Sequence, residues 1–216
     1  NPASISTNGV LALTPDNKGN FWLGTIGYGI ELFSTKSKKV IARYSPDSLD
    51  NRSMSNDSVV RVYRDKAGNV WGGTFRGANM LDQKTGKFTR FVAYPSDTAA
   101  FGKNLVSAIL QDKHNTCWIG SFVGGGIHTV NTTTGALKTY LQGTSISNVF
   151  EDSDGRFWAG AVEGLFYFDR ENDAFVKFND PFNLSAIIDV RAIIEDDDKN
   201  LWITTSNTIK RISPKR

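Results

Sequence analysis

One short motif recurs five times along the 216-residue chain and constrains its fold more than any other feature. In every copy an aspartate stands six residues before a tryptophan, and successive tryptophans lie 49, 47, 40 and 44 residues apart. A period of about 40–50 residues is typical of repeat architectures in which each copy forms one structural unit. The pairs are Asp16 and Trp22, Asp65 and Trp71, Asp112 and Trp118, Asp152 and Trp158, and Asp196 and Trp202.

Each copy has the pattern of a strand, a tight turn and a second strand, because a polar cluster separates two short apolar runs. The aspartate can accept hydrogen bonds from backbone amides of the turn. Three residues before the tryptophan, three copies have glycine, which suits a positive φ. One copy has asparagine, which tolerates that conformation, and one has lysine, which is the outlier. These residues are Gly19, Gly68, Asn115, Gly155 and Lys199. We expect the aspartates and tryptophans to be structural, each tryptophan packing between adjacent sheets.

The fold class predicted from this pattern is all-β, a β-propeller of five four-stranded blades whose last blade is incomplete. No window of the sequence shows apolar residues at helical spacing. We expect a single propeller region over residues 1–216, with blades at about 9–44, 58–91, 105–140, 145–178 and 189–213. Because the last repeat lacks a fourth apolar run, an arc or fragment of a larger propeller is favoured over a closed five-bladed ring.

Composition excludes several functions. The net charge is only +3, without a basic run, so we expect no nucleic-acid partner. No apolar run is long enough for direct membrane insertion.

Cys117 is the only cysteine and is expected to be a buried thiol beside Trp118. His114 and His128 have no cysteine or histidine partner at metal-binding spacing, so we expect neither a metal nor a cofactor.

The run Gly19–Thr25 with Gly29-Ile30, and the run Glu151–Gly160 with Gly164-Leu165, resemble the two-component regulator propeller repeat. The blade-closing pattern Phe175-Val176-Lys177-Phe178 is similar as well. The family implies the periplasmic sensor region of hybrid two-component histidine kinases, notably from Bacteroidetes. There a propeller of about seven blades precedes a small β-sandwich, a membrane helix and the kinase.

The resemblance therefore implies a periplasmic, non-enzymatic sensor module whose parent chain is a histidine kinase. Many members of the family sense oligosaccharides, so the implied ligand is an oligosaccharide or another small molecule. The implied partners are the remaining blades and downstream domains of the parent chain, and a homodimer stays open.

Candidate ligand-binding residues come first from loops that a propeller places on one face. Exposed aromatic side chains near charged groups suit sugar rings, which present an apolar face and a hydroxyl rim. The loops between the second and third strands supply Tyr28, Phe75, Arg76 and Phe122, with Glu163 as a further candidate. The longer loops between blades supply Arg52, Tyr94, Phe101 and Phe182.

A second set interrupts the apolar inner strands, namely Arg61, Asn148 and Arg191. A charged group there is unfavourable unless it is paired or faces water. Contact with an anionic or hydroxylated ligand at the channel entrance is one interpretation. The alternative is that these residues pair with neighbouring carboxylates or line a solvated channel.

Two other functions stay open. A propeller enzyme acting on glycans, a hydrolase or a lyase, predicts close carboxylates on the face that carries these loops, and product formation. A streptogramin-lyase-like propeller is a separate rival, since its repeats also carry Gly-x-x-Trp, but the Trp-x-Gly-Thr and Gly-Ile/Leu pattern fits the sensor repeat better. A protein-interaction scaffold predicts a partner protein and no small-molecule pocket. A sensor predicts ligand-dependent stabilisation without turnover. The sequence contains neither a nucleophile elbow nor a phosphate-binding glycine loop.

Overall fold

The computed structural model describes residues 3–92, 104–179 and 187–213. Over these ranges the chain forms nineteen strands in five antiparallel sheets and no α-helix. Consequently, none of the described ranges contains a helix that could cross a membrane. The chain divides into two compact units, Asn1–Ile109 and Leu110–Arg216, and each is described on its own.

The first unit contains two complete blades, in which consecutive strands are neighbours in the sheet. Blade 1 consists of β1 (Val10–Pro15), β2 (Asn20–Thr25), β3 (Gly29–Ser34) and β4 (Lys39–Tyr44). Blade 2 consists of β5 (Val59–Arg64), β6 (Val70–Thr74), β7 (Gly77–Asp82) and β8 (Lys87–Phe91). The next strand, β9 (Val106–Gln111), begins in this unit and ends in the second.

The second unit contains the rest of blade 3 and two further blades with the same strand order. Blade 3 continues with β10 (Cys117–Ser121), β11 (Gly126–Val130) and β12 (Leu137–Tyr140). Blade 4 consists of β13 (Ile146–Glu151), β14 (Phe157–Ala161), β15 (Gly164–Asp169) and β16 (Ala174–Lys177). Blade 5 has three described strands, β17 (Ala192–Glu195), β18 (Leu201–Thr204) and β19 (Ile209–Ile212). Over the described residues, the predicted all-β class with antiparallel sheets whose strands follow in chain order is confirmed.

The aspartate of each repeat organises the turn between the first two strands. In blade 2, Asp65 Oδ1 accepts a hydrogen bond from the Asn69 amide at 2.8 Å, as the sequence predicts. The other oxygen accepts from Trp71 Nε1 at 2.9 Å, which the sequence did not predict. The same bond to the indole forms in blades 3, 4 and 5, at 2.9, 2.9 and 2.7 Å. The predicted positive φ three residues before the tryptophan is also present, from 63° to 89° across the five blades.

Blade 1 is the exception to the bond between aspartate and indole. Asp16 Oδ2 accepts from the side-chain amide of Asn20 at 2.6 Å, as Asp65 Oδ2 does from Asn69 at 2.8 Å. The buried Trp22 Nε1 has no hydrogen-bond acceptor among the described residues. Blade 1 therefore retains the turn but lacks the link from the turn to the ring.

Tryptophans fill the space between neighbouring blades within each unit. In the first unit, Trp22 packs in one cluster with Val70 and Leu81 of blade 2. In the second unit, the Trp118 ring stacks on Phe157 of blade 4 with ring centroids 4.5 Å apart.

The glycine two residues after the tryptophan allows this close approach. A Cβ added to Gly73 would lie 2.7 Å from a methyl group of Val106, and one added to Gly160 would lie 2.5 Å from Val190. Because both distances are shorter than any ordinary carbon contact, a side chain at either position would push the blades apart.

Candidate functional site

Two kinds of segment lie at the same end of each sheet, opposite its aspartate turn. They are the loop between the second and third strands and the segment that leads into the first strand. We call this end the loop face. Its strand-connecting loops are residues 26–28, 75–76, 122–125, 162–163 and 205–208. The described lead-in segments are residues 4–9, 45–58, 141–145 and 187–191.

In the first unit, a short and well-tethered loop carries Tyr28. The Ile26 amide donates to the Gly9 carbonyl at 2.9 Å, and the Gly29 amide donates to the Asp57 carbonyl at 2.7 Å. Gly29 has a φ of 80°, which few side chains tolerate. Tyr28 is 51 % exposed, and Ile26 beside it is exposed as well. The loop thus displays two apolar side chains from a fixed backbone.

Phe75 and Arg76 form the corresponding loop of blade 2. Phe75 is half-buried, so only part of its ring reaches solvent, whereas Arg76 is exposed. The Arg76 amide donates to Thr74 Oγ1 at 3.0 Å, which fixes the start of the loop. An aromatic side chain and an exposed arginine therefore lie next to each other in the sequence and on the same face.

Arg61 lies where the inner strand of blade 2 is irregular. The register with β6 shifts between Val59 and Arg61, so β5 carries a β-bulge at Val60. The Arg61 guanidinium is exposed and donates to the Val60 carbonyl at 2.8 Å. Partial desolvation by the surrounding protein lowers the pKa of Arg61, but a guanidinium remains charged at neutral pH.

In the second unit, the loop of blade 3 carries Phe122 and Val123. Phe122 is half-buried, whereas Val123 is exposed with a φ of 49°. A positive φ is a genuine outlier for a β-branched residue. The loop is held by the Gly124 amide, which donates to Ser145 Oγ at 2.9 Å. The fold thus keeps an apolar side chain in solvent at the expense of backbone strain.

Glu163 orders the lead-in segment of blade 4. Both of its carboxylate oxygens accept from the Ser145 amide, at 3.0 and 3.2 Å. The Val162 amide in turn donates to the Ser145 carbonyl at 3.1 Å. Glu163, a half-buried residue, therefore fixes this part of the loop face.

Asn148 and Arg191 mark the inner strands of blades 4 and 5. Asn148 is half-buried and follows a register shift like that before Arg61. Arg191 directly precedes β17 and is exposed, and its Nη2 lies 2.9 Å from the Asp189 carboxylate. The bond from Arg191 holds the pKa of Asp189 below its usual value. Arg191 thus has a carboxylate partner, as the alternative interpretation requires, while the pair stays open to solvent.

The structure distributes the predicted residues between the two units. Tyr28, Arg61, Phe75 and Arg76 belong to the first unit, and Phe122, Asn148, Glu163 and Arg191 belong to the second. Arg52 is exposed in the lead-in segment of blade 2. The other predicted residues, Tyr94, Phe101 and Phe182, lie outside the described residues.

Sequence reasoning missed a set of polar residues that fasten the lead-in segments in the first unit. Glu31 in β3 is fully buried, accepts from the Ser6 amide at 3.2 Å and pairs with Arg43 Nε at 2.7 Å. Asn79 occupies the same place in β7, and its Oδ1 accepts from the Ser55 amide at 2.8 Å. The sequence did contain one signal of this arrangement, because Glu31 is a charged residue within the otherwise apolar third strand of blade 1.

An arginine in each outer strand completes this arrangement. Arg43 also donates to the Ser4 carbonyl. In blade 2, Arg90 Nε donates to the Ser53 carbonyl at 2.8 Å. The lead-in segments of blades 1 and 2 are therefore fixed parts of the loop face rather than loose connections.

The described residues include no group of three or more histidine, cysteine, aspartate or glutamate side chains arranged to hold a metal ion. Each unit by itself carries exposed apolar side chains on hydrogen-bonded loops: Tyr28 with Arg76 on the same face in the first unit, and Val123 with Glu163 on the same face in the second.

Three segments of the chain match a known family of repeats. The family model described as "Two component regulator propeller" matches residues 4–27, 140–163 and 185–207. A relative named "Histidine kinase P4", from Formosa agariphila, is 28 % identical over 195 residues. The match covers 86 % of this chain and 14 % of that protein, so the chain spans about a seventh of the relative's length.

Solved structures share the fold. The extracellular domain of the putative hybrid two component system BT3049 from B. thetaiotaomicron superposes with a TM-score of 0.78 at 22 % identity, over 98 % of this chain and 28 % of that one. Virginiamycin B lyase from Staphylococcus aureus superposes with a TM-score of 0.72 at 16 % identity, over 98 % of this chain and 69 % of the lyase. The fold of this chain is thus found both in an extracellular domain of a putative two component system and in an enzyme.

Proposed function

We propose that the chain is the ligand-sensing, extracytoplasmic propeller module of a longer hybrid two-component signalling protein, because three of its segments match the two-component regulator propeller family. The ligand is an oligosaccharide bound at the loop face, and the module binds it without transforming it. The observation that carries this proposal is the combination of exposed apolar side chains with fixed polar loops on that face.

The surroundings of the module are part of the proposal. A relative named as a histidine kinase is about seven times longer than the matched segment, and a solved domain of similar fold is extracellular. Remaining blades and downstream domains of the same polypeptide are therefore the expected partners, in the periplasm of a bacterium with two membranes. A homodimer would be formed through these other parts as well as through this module.

The chemistry of the loop face supports a sugar ligand. Tyr28 offers an aromatic face to the apolar side of a pyranose ring, held out by a loop with two backbone tethers. Arg76 and Arg61 are exposed donors on the same unit and can bind hydroxyl or carboxylate groups. Because these loops are already hydrogen-bonded, binding would order few additional residues.

An enzymatic function of the lyase type is less well supported. A catalytically inactive variant of the staphylococcal lyase replaces a histidine by alanine. In this chain, His114 lies in an aspartate turn at the opposite end of its sheet, and His128 is buried in the middle of β11. Neither histidine of the sequence therefore lies on the loop face, where a bound ligand would need it.

Thermal unfolding with a panel of plant, host and microbial oligosaccharides tests the proposal, with product analysis of every sugar that raises the melting temperature. We expect one sugar class to stabilise the protein and to be recovered unchanged. Recovery of a cleaved or eliminated product would instead establish an enzyme. Absence of stabilisation by every sugar would contradict the assigned ligand class.

Two matched substitutions locate the site. We expect Tyr28→Ala to remove most of the ligand-induced shift, because Tyr28 is the large exposed aromatic ring among the described residues of the first unit. Ile41→Ala is the control, since Ile41 is similarly exposed but lies on the outer strand β4. Equal loss of the shift in both variants would show that the loop face is not the binding site.

A further inference from the structure

Two arginines of blade 2 stand at the loop face without a carboxylate partner. Arg61 donates to the Val60 carbonyl at 2.8 Å, and Arg76 is exposed in the loop between β6 and β7. Within the described ranges, neither guanidinium forms an ion pair. In blade 1, by contrast, Arg43 pairs with Glu31 at 2.7 Å. The chain therefore neutralises Arg43 and leaves the two cations of blade 2 uncompensated.

The protein around Arg61 makes the lack of a partner unfavourable. Although the side chain is exposed, neighbouring atoms partly desolvate its guanidinium and lower the pKa of Arg61. Because a guanidinium remains charged at neutral pH, the partly desolvated cation keeps its free-energy penalty. An anion bound beside Arg61 would offset that penalty.

The fold does not need arginine at these two places, as blade 4 shows. Asn148 stands there where Arg61 stands in blade 2, because each pairs with the glycine two residues after the tryptophan. Glu163 stands where Arg76 stands, because each is the last residue before the glycine that begins the third strand. Blade 4 thus has a neutral residue and an anion at positions that are cationic in blade 2.

Tyr28 of blade 1 is tied to the segment that leads into blade 2. The Gly29 amide, directly after Tyr28, donates to the Asp57 carbonyl at 2.7 Å. The Gly27 amide, directly before it, donates to Ser58 Oγ at 3.3 Å. Strand β5 begins one residue after Ser58. The exposed tyrosine is therefore held beside the start of β5.

The two arginines lie at that same end of β5 and β6. Val59 pairs with Thr74, which is the last residue of β6, and Arg61 pairs with Gly73. Arg76 follows Thr74 by two residues. Because paired strands lie about 5 Å apart, the long side chains of Arg61 and Arg76 can reach one ligand. We call residues 26–28, 57–61 and 73–76 the arginine corner.

The charged residues of the arginine corner are Arg61, Arg76 and Asp57, so its net charge is +1. Asp57 Oδ1 accepts a hydrogen bond from Ser58 Oγ at 3.1 Å. The corner therefore combines an excess of positive charge with the exposed ring of Tyr28.

We propose that the arginine corner binds an anionic sugar, so that the ligand of the loop face is an oligosaccharide with a carboxylate or sulfate group on its ring. This inference rests on the proposed sensing function and narrows its ligand class. A guanidinium binds an oxyanion through two parallel N–H donors, and Tyr28 packs against the apolar side of a sugar ring. A neutral sugar would leave both cations uncompensated.

Matched pairs of sugars test the proposal by calorimetric titration and thermal unfolding. One pair is tri-galacturonate and its fully methyl-esterified form, and the other is a sulfated galactose oligosaccharide and its desulfated form. We expect an anionic member to bind at least about tenfold more tightly than its neutral counterpart, and its affinity to fall as NaCl is added. The pair that shows the preference distinguishes a carboxylate from a sulfate ester.

Substitutions assign the preference to the arginine corner. Arg76→Gln and Arg61→Asn should each weaken binding of the anionic sugar by about tenfold or more and should reduce its dependence on NaCl. Arg76→Lys should lie between Arg76→Gln and the wild type, because lysine keeps the charge but not the two parallel donors. Lys84→Gln is the control for lost charge, since Lys84 is exposed in the turn between β7 and β8, at the opposite end of the same blade. It should bind like the wild type.

The outcomes separate this inference from the proposed function. If neutral sugars bind as tightly as their anionic counterparts, the arginine corner does not select for charge, although the module still senses oligosaccharides. If no sugar binds, both proposals fail. Equal losses in Arg76→Gln and Lys84→Gln would overturn the location of the site. Equal stabilisation by sodium sulfate at the same concentration would show that the corner binds an anion without recognising a sugar, which also contradicts the proposal.

Discussion

A buried histidine should make the stability of the second unit sensitive to acid. His128 lies in the middle of β11, is 1 % exposed, and its Nδ1 lies 3.0 Å from Thr139 Oγ1. Because burial penalises the charged imidazolium, it lowers the pKa of His128 from 6.5 to about 4. The ring therefore stays neutral in the folded protein at pH values where an unfolded histidine is already protonated.

The sign and size of the effect follow from this difference. The unfolded chain binds the proton more readily, so the free energy of unfolding decreases as the pH falls from 6.5 towards about 4. A shift of this size corresponds to about 3 kcal/mol when the transition is complete, at about 1.4 kcal/mol per pH unit. Between about pH 7 and about pH 4.5 we expect a loss of about 2 kcal/mol from this group.

Urea unfolding of the wild type and of His128→Phe at both pH values measures this contribution. Phenylalanine is a suitable replacement because Phe166 occupies the same position in blade 4. The acid-induced loss of stability should be smaller in His128→Phe than in the wild type by about 2 kcal/mol, since the other titrating groups are shared. His114→Asn, a change at an exposed turn, should behave like the wild type. An equal loss in wild type and His128→Phe would refute the reasoning.

Two further predictions concern the repeat. Trp71→Phe should reduce the free energy of unfolding more than Trp22→Phe, by about 1–2 kcal/mol. The reason is that Trp71 donates a hydrogen bond to Asp65, whereas the Trp22 indole has no acceptor among the described residues. Chemical denaturation of both variants measures the difference, and equal losses would contradict the prediction. Gly73→Ala should lose about 1–3 kcal/mol through overpacking, because its Cβ would lie 2.7 Å from a valine methyl of the next blade. Gly9→Ala, whose Cβ would meet side chains only at 3.4 Å, should keep nearly wild-type stability in the same assay.

The architecture could be predicted from the sequence because its signal is local and repeated. Each apolar run, each aspartate turn and each positive-φ position recurs in register, so errors in one copy are corrected by the others. Lys199, which the sequence marked as the outlier at this position, also has a positive φ, 63°.

The second role of the aspartates was not predicted because it joins two side chains across a hairpin. Sequence spacing shows that Asp65 and Trp71 are six residues apart, but not that the carboxylate reaches the indole. The exception in blade 1 could not be foreseen either, because Asn69 donates to the same carboxylate oxygen in blade 2 as Asn20 does in blade 1, and the indole bond still forms there.

The loop face was only partly predictable for the same physical reason. Tyr28 was identified from its place in a short strand-connecting loop, and it is exposed there. The fastening of the lead-in segments depends on pairs far apart in the chain, such as Ser6 with Glu31 and Ser55 with Asn79. Contacts of that range are set by the packing of whole blades.

Hydrogen–deuterium exchange with and without the most strongly stabilising oligosaccharide tests the central claim most directly. We predict slower exchange in the strand-connecting loops and lead-in segments of the loop face, for example at residues 26–28 and 122–125. Exchange in the aspartate turns at the opposite end of the same sheets should not change. Protection confined to those turns, or to the outer strands, would contradict the assignment of the loop face as the sensing surface.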